Sequence, residues 1–168
     1  VSPMLTEYSM YVSLNAPLFE RVKTVYQKKD ELGLEKDQMK LLEDNYKSFV
    51  RGGANLSDED KELYRQYTSE LSEATLMFGQ NALSATNAFA INITDAKKVA
   101  ELPEFVKEAM AADAKSRGEK GWTVTLKAPS YIPFMTYSSQ REEKEALYRA
   151  YNSRALGGEF DNTAIIAK

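Results

Sequence analysis

Residues 57–91 carry the longest helical pattern in this sequence, SDEDKELYRQYTSELSEATLMFGQNALSATNAFAI. Ser57 is suited to cap a helix, and the acidic residues at 58–60 match the exposed N–H groups and positive dipole end of a first turn. Apolar residues then recur every three or four positions, at Leu63, Tyr67, Leu71, Ala74, Phe78, Ala82, Ala85 and Phe89. This spacing predicts one long helix of roughly 50 Å, and a helix of that length suggests an extended wall.

Three shorter helices are predicted before residue 57. Asn15 is a natural N-cap, and Gly33 stands where a left-handed residue would end the helix that Asn15 begins. A second glycine stop follows at 52–53. Apolar residues at helical spacing support each segment, and the predicted helices cover about 4–12, 14–33 and 37–51.

Residues 122–126, Trp-Thr-Val-Thr-Leu, form the one convincing strand, because strand-forming and polar side chains alternate along them. A lone strand needs a partner. The sequence does not identify one, so the strand either pairs with an unrecognised segment or has its edge completed by another part of a parent protein. The predicted fold class is mainly α: a multi-helix domain with one long helix over about 57–91 and a minor strand near 122–126.

The remaining segments are predicted to be helical, with one open case. Ser139 and Glu142 have the spacing of a capping box in front of a helix, and Asp161 would cap a short last helix. Pro129 and Pro133 bracket residues 130–132 in a stretch expected to be irregular, and the apolar residues 134–137 after it form either a short helix or an extended piece. The predicted helices of this half cover 103–118, 140–155 and 162 onward.

Composition excludes several classes of function. With 43% hydrophobic and 28% charged residues the chain has a globular composition, and no apolar run approaches the roughly 20 residues of a membrane span. The net charge is −3 and both signs are interspersed, so nucleic acid is not an expected partner. The lack of cysteine fits a reducing compartment such as the cytoplasm, although a periplasmic protein can also lack cysteine.

The 168 residues include no histidine and no cysteine, which removes the side chains of most zinc and nucleophile sites. An H-E-x-x-H helix and a Ser-His-Asp or Cys-His system are therefore excluded. The acids at 58–60 are explained by a helix N-terminus, and Glu142, Glu143 and Glu145 by an exposed helix face. The glycines at 52–53 lack the lysine of a phosphate loop. No catalytic, cofactor-binding or metal-binding residue is assigned.

The ten tyrosines are interpreted mainly as packing residues. Tyr46, Tyr67 and Tyr151 fall on predicted inner helix faces. Tyr131 and Tyr137 are the exceptions, because they lie in the proline-containing stretch that could border a groove.

Five segments spread over nearly the whole chain are SPMLTEYSMYVSLNAPLFERVKTVY, FVRGGANL, LSEATLMFGQNALSATNAF, APSYIPFMTYS and LYRAYNSRA. In this order and spacing they resemble the amino-terminal helical region of the thimet-oligopeptidase family of zinc metallopeptidases. The most similar branch is bacterial peptidyl-dipeptidase, also called dipeptidyl carboxypeptidase, followed by oligopeptidase A.

The resemblance implies a mostly helical hydrolase several times longer than this chain, in which short peptides enter a deep channel between two lobes. The family's zinc-binding H-E-x-x-H helix and a further glutamate ligand lie in a later catalytic lobe, and none of those positions exists here. Residues 1–168 are then part of the non-catalytic helical region, inactive alone, forming a helical wall of the peptide channel. The expected partners are short peptides and the catalytic lobe of the parent, with zinc as its cofactor.

Both chain ends are expected to be cut ends, because no initiator methionine is present and the helical pattern continues to the last residues. Apolar surface left exposed by such a cut would favour self-association. The alternative is a free-standing α-helical module that binds a protein or peptide. The natural reading frame distinguishes the two hypotheses, since only the peptidase hypothesis requires a histidine-containing zinc motif downstream. Cleavage specificity and natural substrates are not predicted by the sequence.

Overall fold

The computed structural model describes residues 2–168 and, within them, is mainly α-helical with one two-stranded sheet. It divides into two units, the first ending at Leu76 and the second covering Met77–Lys168. No helix within residues 2–168 has both the length and the apolar character needed to cross a lipid bilayer. The elements are α1 (Ser2–Ser13), α2 (Ala16–Gln27), α3 (Lys36–Arg51), α4 (Asp58–Ala88), β1 (Ala90–Ile93), α5 (Glu104–Ser116), β2 (Trp122–Thr125), α6 (Ala128–Tyr137), α7 (Arg141–Asn152) and α8 (Thr163–Ile166).

The first unit is built on α1, α2, α3 and the first part of α4. Asn15 caps α2 as predicted, with the Leu18 N–H donating to Asn15 Oδ1 at 2.9 Å. The helix predicted over 14–33 is shorter in the structure, because the Lys28 N–H bonds to the Val25 carbonyl three residues back and the chain continues as a 3-10 turn. Gly33, at φ +59°, follows that turn.

Aromatic contacts join α2 to α3. Phe19 of α2 is buried, and its ring centre lies 5.9 Å from the ring centres of both Tyr46 and Phe49. Tyr26 stacks on Tyr46 with 3.9 Å between the ring centres. These contacts pack α2 against α3, and Tyr46 is half-buried as expected.

The second unit contains the partner that the sequence did not identify for the strand. β1 and β2 pair antiparallel, with Ala90 opposite Thr125 and Ile93 opposite Trp122. The helix predicted over about 57–91 thus ends at Ala88, and its last three predicted residues are wrong. The physical reason is that the spacing of buried apolar residues changes from three or four positions to two. Ile91 and Ile93 alternate with exposed Asn92, which suits a strand with one face on the core.

The core of the second unit lies where β2 meets α5, α6 and α7. Val124 is completely buried, as are Phe134 of α6 and Leu147 of α7. Val106 and Met110 complete this cluster from α5. Residues 134–137, left open between helix and extended chain, belong to α6. The expectation that the stretch between the prolines is irregular is wrong, because Pro129 fits the first turn of α6 and the helix continues through Pro133.

The capping box predicted from Ser139 and Glu142 is wrong. The backbone N–H and the hydroxyl of Ser139 both donate to Glu101 Oε1, at 2.6 and 2.7 Å. A charged acceptor forms the stronger hydrogen bonds, so Ser139 turns away from the helix, and α7 begins after Gln140 without a side-chain cap. The N-cap residue of α8 is Asn162 and not Asp161. Asp161 lies one residue earlier, and its carboxylate accepts from the Thr163 N–H of the first turn at 3.0 Å.

We predict that Gly121→Ala destabilises the second unit far more than Gly118→Ala. Both glycines have positive φ, +89° and +72°, so both variants incur roughly 1–2 kcal/mol of left-handed strain. A Cβ at Gly121 would also lie 2.4 Å from the carbonyl oxygen of Ile93, whereas one at Gly118 meets nothing within 4 Å. Urea unfolding should show a clearly larger loss of unfolding free energy for Gly121→Ala than for Gly118→Ala. Equal losses would contradict the close approach of Gly121 to the Ile93 carbonyl at the end of β1.

Candidate functional site

Two cavities flank α1 in the first unit. One, of about 460 Å³, lies beside α2 and is lined by Glu7, Met10, Tyr11, Leu14, Asn15, Pro17 and Arg65. The other, of about 450 Å³, lies beside α3 and is lined by Tyr8, Ser9, Val12, Ser13, Asn45, Ser48 and Phe49. Both volumes fall in the usual range of ligand pockets, and both linings mix apolar groups with hydroxyl and amide groups.

The outer face of α1 joins these cavities. Tyr8 and Tyr11 are 67% and 71% exposed, and Met4 and Leu5 beside them are similarly open. We call these four residues, with the two cavities, the α1 surface. Large apolar side chains at this exposure are typical of surfaces that contact another molecule. The α1 surface is the candidate functional site of the first unit.

A second exposed face runs along α4. Leu63, Tyr67 and Leu71 follow one another at four-residue spacing, and Tyr67 is 62% exposed. The prediction that Tyr67 faces inward is therefore wrong. Its spacing is that of a buried stripe, but the helices of the described part of the first unit cover a different side of α4, where Ser72 bonds to Thr6 of α1.

The acids at 58–60, Glu142 and Glu145 take the positions that the sequence predicted, but the prediction that Glu143 lies on an exposed face is wrong, because its side chain is only 13% exposed. The acids at 58–60 occupy the first turn of α4, where the Asp60 N–H donates to Ser57 Oγ at 3.1 Å. On α7, Glu145 pairs with Arg149 at 2.7 Å and Glu143 pairs with Lys98. These ion pairs lower the pKa of Glu145 and Glu143, and a general acid needs the opposite shift.

The residues present do not fit a zinc site. The sequence supplies neither imidazole nor thiolate, and within residues 2–168 no three acidic side chains gather closely enough to hold a metal ion. The glycines at 52–53 follow a helix and not a strand, and Gly53 packs against Leu56 and Leu14. This contact explains them as a turn between α3 and α4.

Two cavities also open on the second unit. One, of about 550 Å³, lies between the end of α6 and the start of α7 and is lined by Met135, Ser138, Ser139, Arg141, Lys144, Glu145 and Tyr148. The other, of about 300 Å³, lies beside the end of α4 and the loop after α7. Arg154 lines this smaller cavity. The sequence reasoning did not single Arg154 out, although it lies inside the quoted segment LYRAYNSRA.

The two tyrosines expected near a groove have different surroundings. Tyr131 is half-buried and stacks on Tyr151 with 4.3 Å between ring centres, so Tyr151 faces inward as predicted. Tyr137 meets Phe105 edge-on at 6.1 Å, and both rings are about half exposed. Neither tyrosine lines the described cavities.

We predict that Glu143→Gln makes stability less dependent on pH. The hydrogen bond from Lys98 lowers the pKa of Glu143 below its ordinary value of 4.5, so the stabilisation is fully present above pH 4.5 and is lost as the pH falls through the folded-state pKa. The unfolding temperature of Glu143→Gln should be lower than that of the parent chain at neutral pH, and the two temperatures should converge in acid. Glu142→Gln, on an exposed side chain without an ion pair among the described residues, should lower the unfolding temperature at neutral pH less than Glu143→Gln does.

The chain is similar in sequence to several known peptidases. No protein-family profile matches the chain. It is 34% identical to the organellar oligopeptidase A, chloroplastic/mitochondrial, of Arabidopsis thaliana over 99% of the chain and 22% of that protein. It is 32% identical to oligopeptidase A of Haemophilus influenzae and 29% identical to dipeptidyl carboxypeptidase of Salmonella typhimurium, covering 98% and 99% of the chain. The chain spans about a quarter of the length of these last two relatives.

Proposed function

We propose that this chain, which corresponds to one segment of the oligopeptidase A and dipeptidyl carboxypeptidase family, forms a helical wall of a peptide channel in a zinc metallopeptidase. The family relationship itself is shown, since relatives of both branches, together with a thimet-like oligopeptidase, match nearly the whole chain. Identities are somewhat higher for oligopeptidase A than for dipeptidyl carboxypeptidase. The observation that carries the wall role is the exposed α1 surface.

The α1 surface has the chemistry that an unfolded peptide requires. Tyr8 and Tyr11 offer rings for apolar side chains and hydroxyl groups for backbone hydrogen bonds. Ser9, Ser13 and Asn45 add small polar groups in the adjoining cavity. A surface of this kind makes contacts without demanding one sequence, which suits a protein that admits many short peptides.

Catalysis is assigned to residues outside this chain. In the proposed parent, zinc would supply an activated water for peptide-bond hydrolysis. The side chains of residues 2–168 do not form a ligand set for it. The proposed contribution of this chain is to contact the peptide and to bound the space that it enters, so the chain alone is proposed to be inactive.

The first test is an activity assay of the purified 168-residue chain with a fluorogenic short peptide, with and without added zinc. We expect no hydrolysis above the rate without protein, because no general base or metal ligand set is assembled. A full-length oligopeptidase A serves as the positive control. Hydrolysis by the 168-residue chain that a chelator abolishes would refute the assignment of the chemistry to other residues.

The second test concerns peptide contact. A labelled, unstructured peptide is titrated against the chain, and binding is followed by fluorescence anisotropy. Tyr8→Ala and Tyr11→Ala should each weaken binding about 5-fold, the effect of losing roughly 1 kcal/mol of ring contact. Tyr148→Ala removes a ring that is 57% exposed from the second unit and should leave binding unchanged. If Tyr148→Ala weakens binding and the α1 variants do not, the α1 surface is not the contact site.

A further inference from the structure

Arg154, just after α7, is held in place by three contacts within the second unit. Its guanidinium carbon lies 3.8 Å from the ring centre of Tyr151, which in turn stacks on Tyr131. Its Nε donates to the Tyr151 carbonyl at 2.9 Å, and its Nη1 lies 3.5 Å from Thr86 Oγ1. Stacking and the carbonyl bond fix the plane of the guanidinium before any ligand arrives.

The charge of Arg154 has no acidic partner in the described part of the chain. The side chain is half-buried, whereas Arg65 and Arg149, which are more exposed, each have a glutamate within 2.9 Å. Nη2 of Arg154 donates to no described residue. A guanidinium remains charged at all physiological pH values, and a half-buried charge without a counter-ion favours binding of an anion.

The cavity beside Arg154 has an otherwise mainly apolar lining. Ala85 and Ala88 line it from α4, Phe89 from the residue after α4, and Leu126 and Ala150 also belong to the lining. Its volume of about 300 Å³ lies at the lower end of ligand pockets, which fits a small ligand or one side chain of a larger one. Glu159 is the one carboxylate among the lining residues, and it forms no ion pair with Arg154.

The loop that closes this cavity is held in a costly conformation. Ala155 has φ +57°, in the left-handed region that costs a residue with a side chain roughly 1–2 kcal/mol. The buried Asn162 holds the loop, because its backbone N–H donates to the Ala155 carbonyl and its side chain binds Asn81 and the Phe78 carbonyl of α4. Strained backbone that its surroundings fix in this way is typical of ligand sites.

We propose that this cavity binds a polypeptide carboxylate, with the Arg154 guanidinium as its recognition group and the apolar lining in contact with the aliphatic part of the same ligand. A guanidinium fork matches a carboxylate through two parallel hydrogen bonds. The carboxylate is either the free carboxyl end of a short peptide or an Asp or Glu side chain within a longer polypeptide. The inference does not depend on the peptidase assignment.

The test uses the isotope-labelled 168-residue chain and three short probes followed by NMR chemical shifts. The probes are N-acetyl-Ala-Ala-Leu with a free carboxyl end, its carboxyl-terminal amide, and the amide of N-acetyl-Ala-Glu-Leu. At least one acidic probe should bind about 10-fold more tightly than the neutral amide and shift the backbone signals of Arg154 and Gly157. The acidic probe that binds identifies the source of the carboxylate. Equal binding of all three probes, or no binding, overturns the proposal.

Variants separate the site from a general charge effect. Arg154→Gln should reduce the affinity for the acidic probe at least about 10-fold. Arg154→Lys keeps the charge but loses the two parallel hydrogen bonds, so its affinity should lie between those of the parent chain and Arg154→Gln. Arg141→Gln makes the same charge change at the start of α7, in the lining of the 550 Å³ cavity, and should bind the acidic probe normally. Glu159→Gln removes a competing anion and should tighten binding. Unchanged binding in Arg154→Gln, or unchanged or weaker binding in a folded Glu159→Gln, overturns the proposal.

Discussion

The antiparallel pairing of β1 with β2 is the constraint on which the second unit depends. The four residues from Ala90 to Ile93 leave the path of α4 and bond to the residues from Trp122 to Thr125. This pairing ends α4 and brings α5, which lies between the strands in sequence, against the sheet. It also buries Val124 completely, so that Phe134 and Leu147 pack around one centre. A ladder of only four residues is stable here because helices cover it.

The predictable part of the fold is the part governed by local signals. The Asn15 cap, the bounds of α3 and the mainly helical class follow from residues a few positions apart. The partner of β2 was not predictable, because Ala90–Ile93 is too short for its alternation to stand out beside a helix whose apolar spacing continues through Phe89. The Ser139 capping box failed for a related reason: the competing acceptor, Glu101, lies 38 residues away.

The candidate functional residues likewise divide into those predictable from local sequence and those that depend on distant contacts. The acids at 58–60 and Glu145 were correctly placed from sequence, since a helix first turn and an i,i+4 pair are local features. Glu143 was not, because its partner Lys98 lies 45 residues away. Tyr67 was misplaced, because spacing identifies an apolar stripe but not whether anything covers it. Arg154 could not be found from sequence, because its stacking on Tyr151 and the cavity beside it exist only after the α4 end, α7 and the following loop have come together. The family relationship adds the peptidase context without assigning any of these side chains.

The side chain of Asn162 has one further consequence, for the order in which the chain can mature during synthesis. Its amide bonds to the Phe78 carbonyl, 84 positions earlier, and its backbone supports the turn at Ala155. The unit that ends at Leu76 contains its own contacts, so a nascent chain can complete it while translation continues. The second unit is complete only after Asn162 has been synthesised. Its contact with Phe78 must also offset the entropy cost of closing the long loop between them. Until then, the final turns of α4 lack their hydrogen bonds to Asn162. During that interval a chaperone or a protease has access to the second unit.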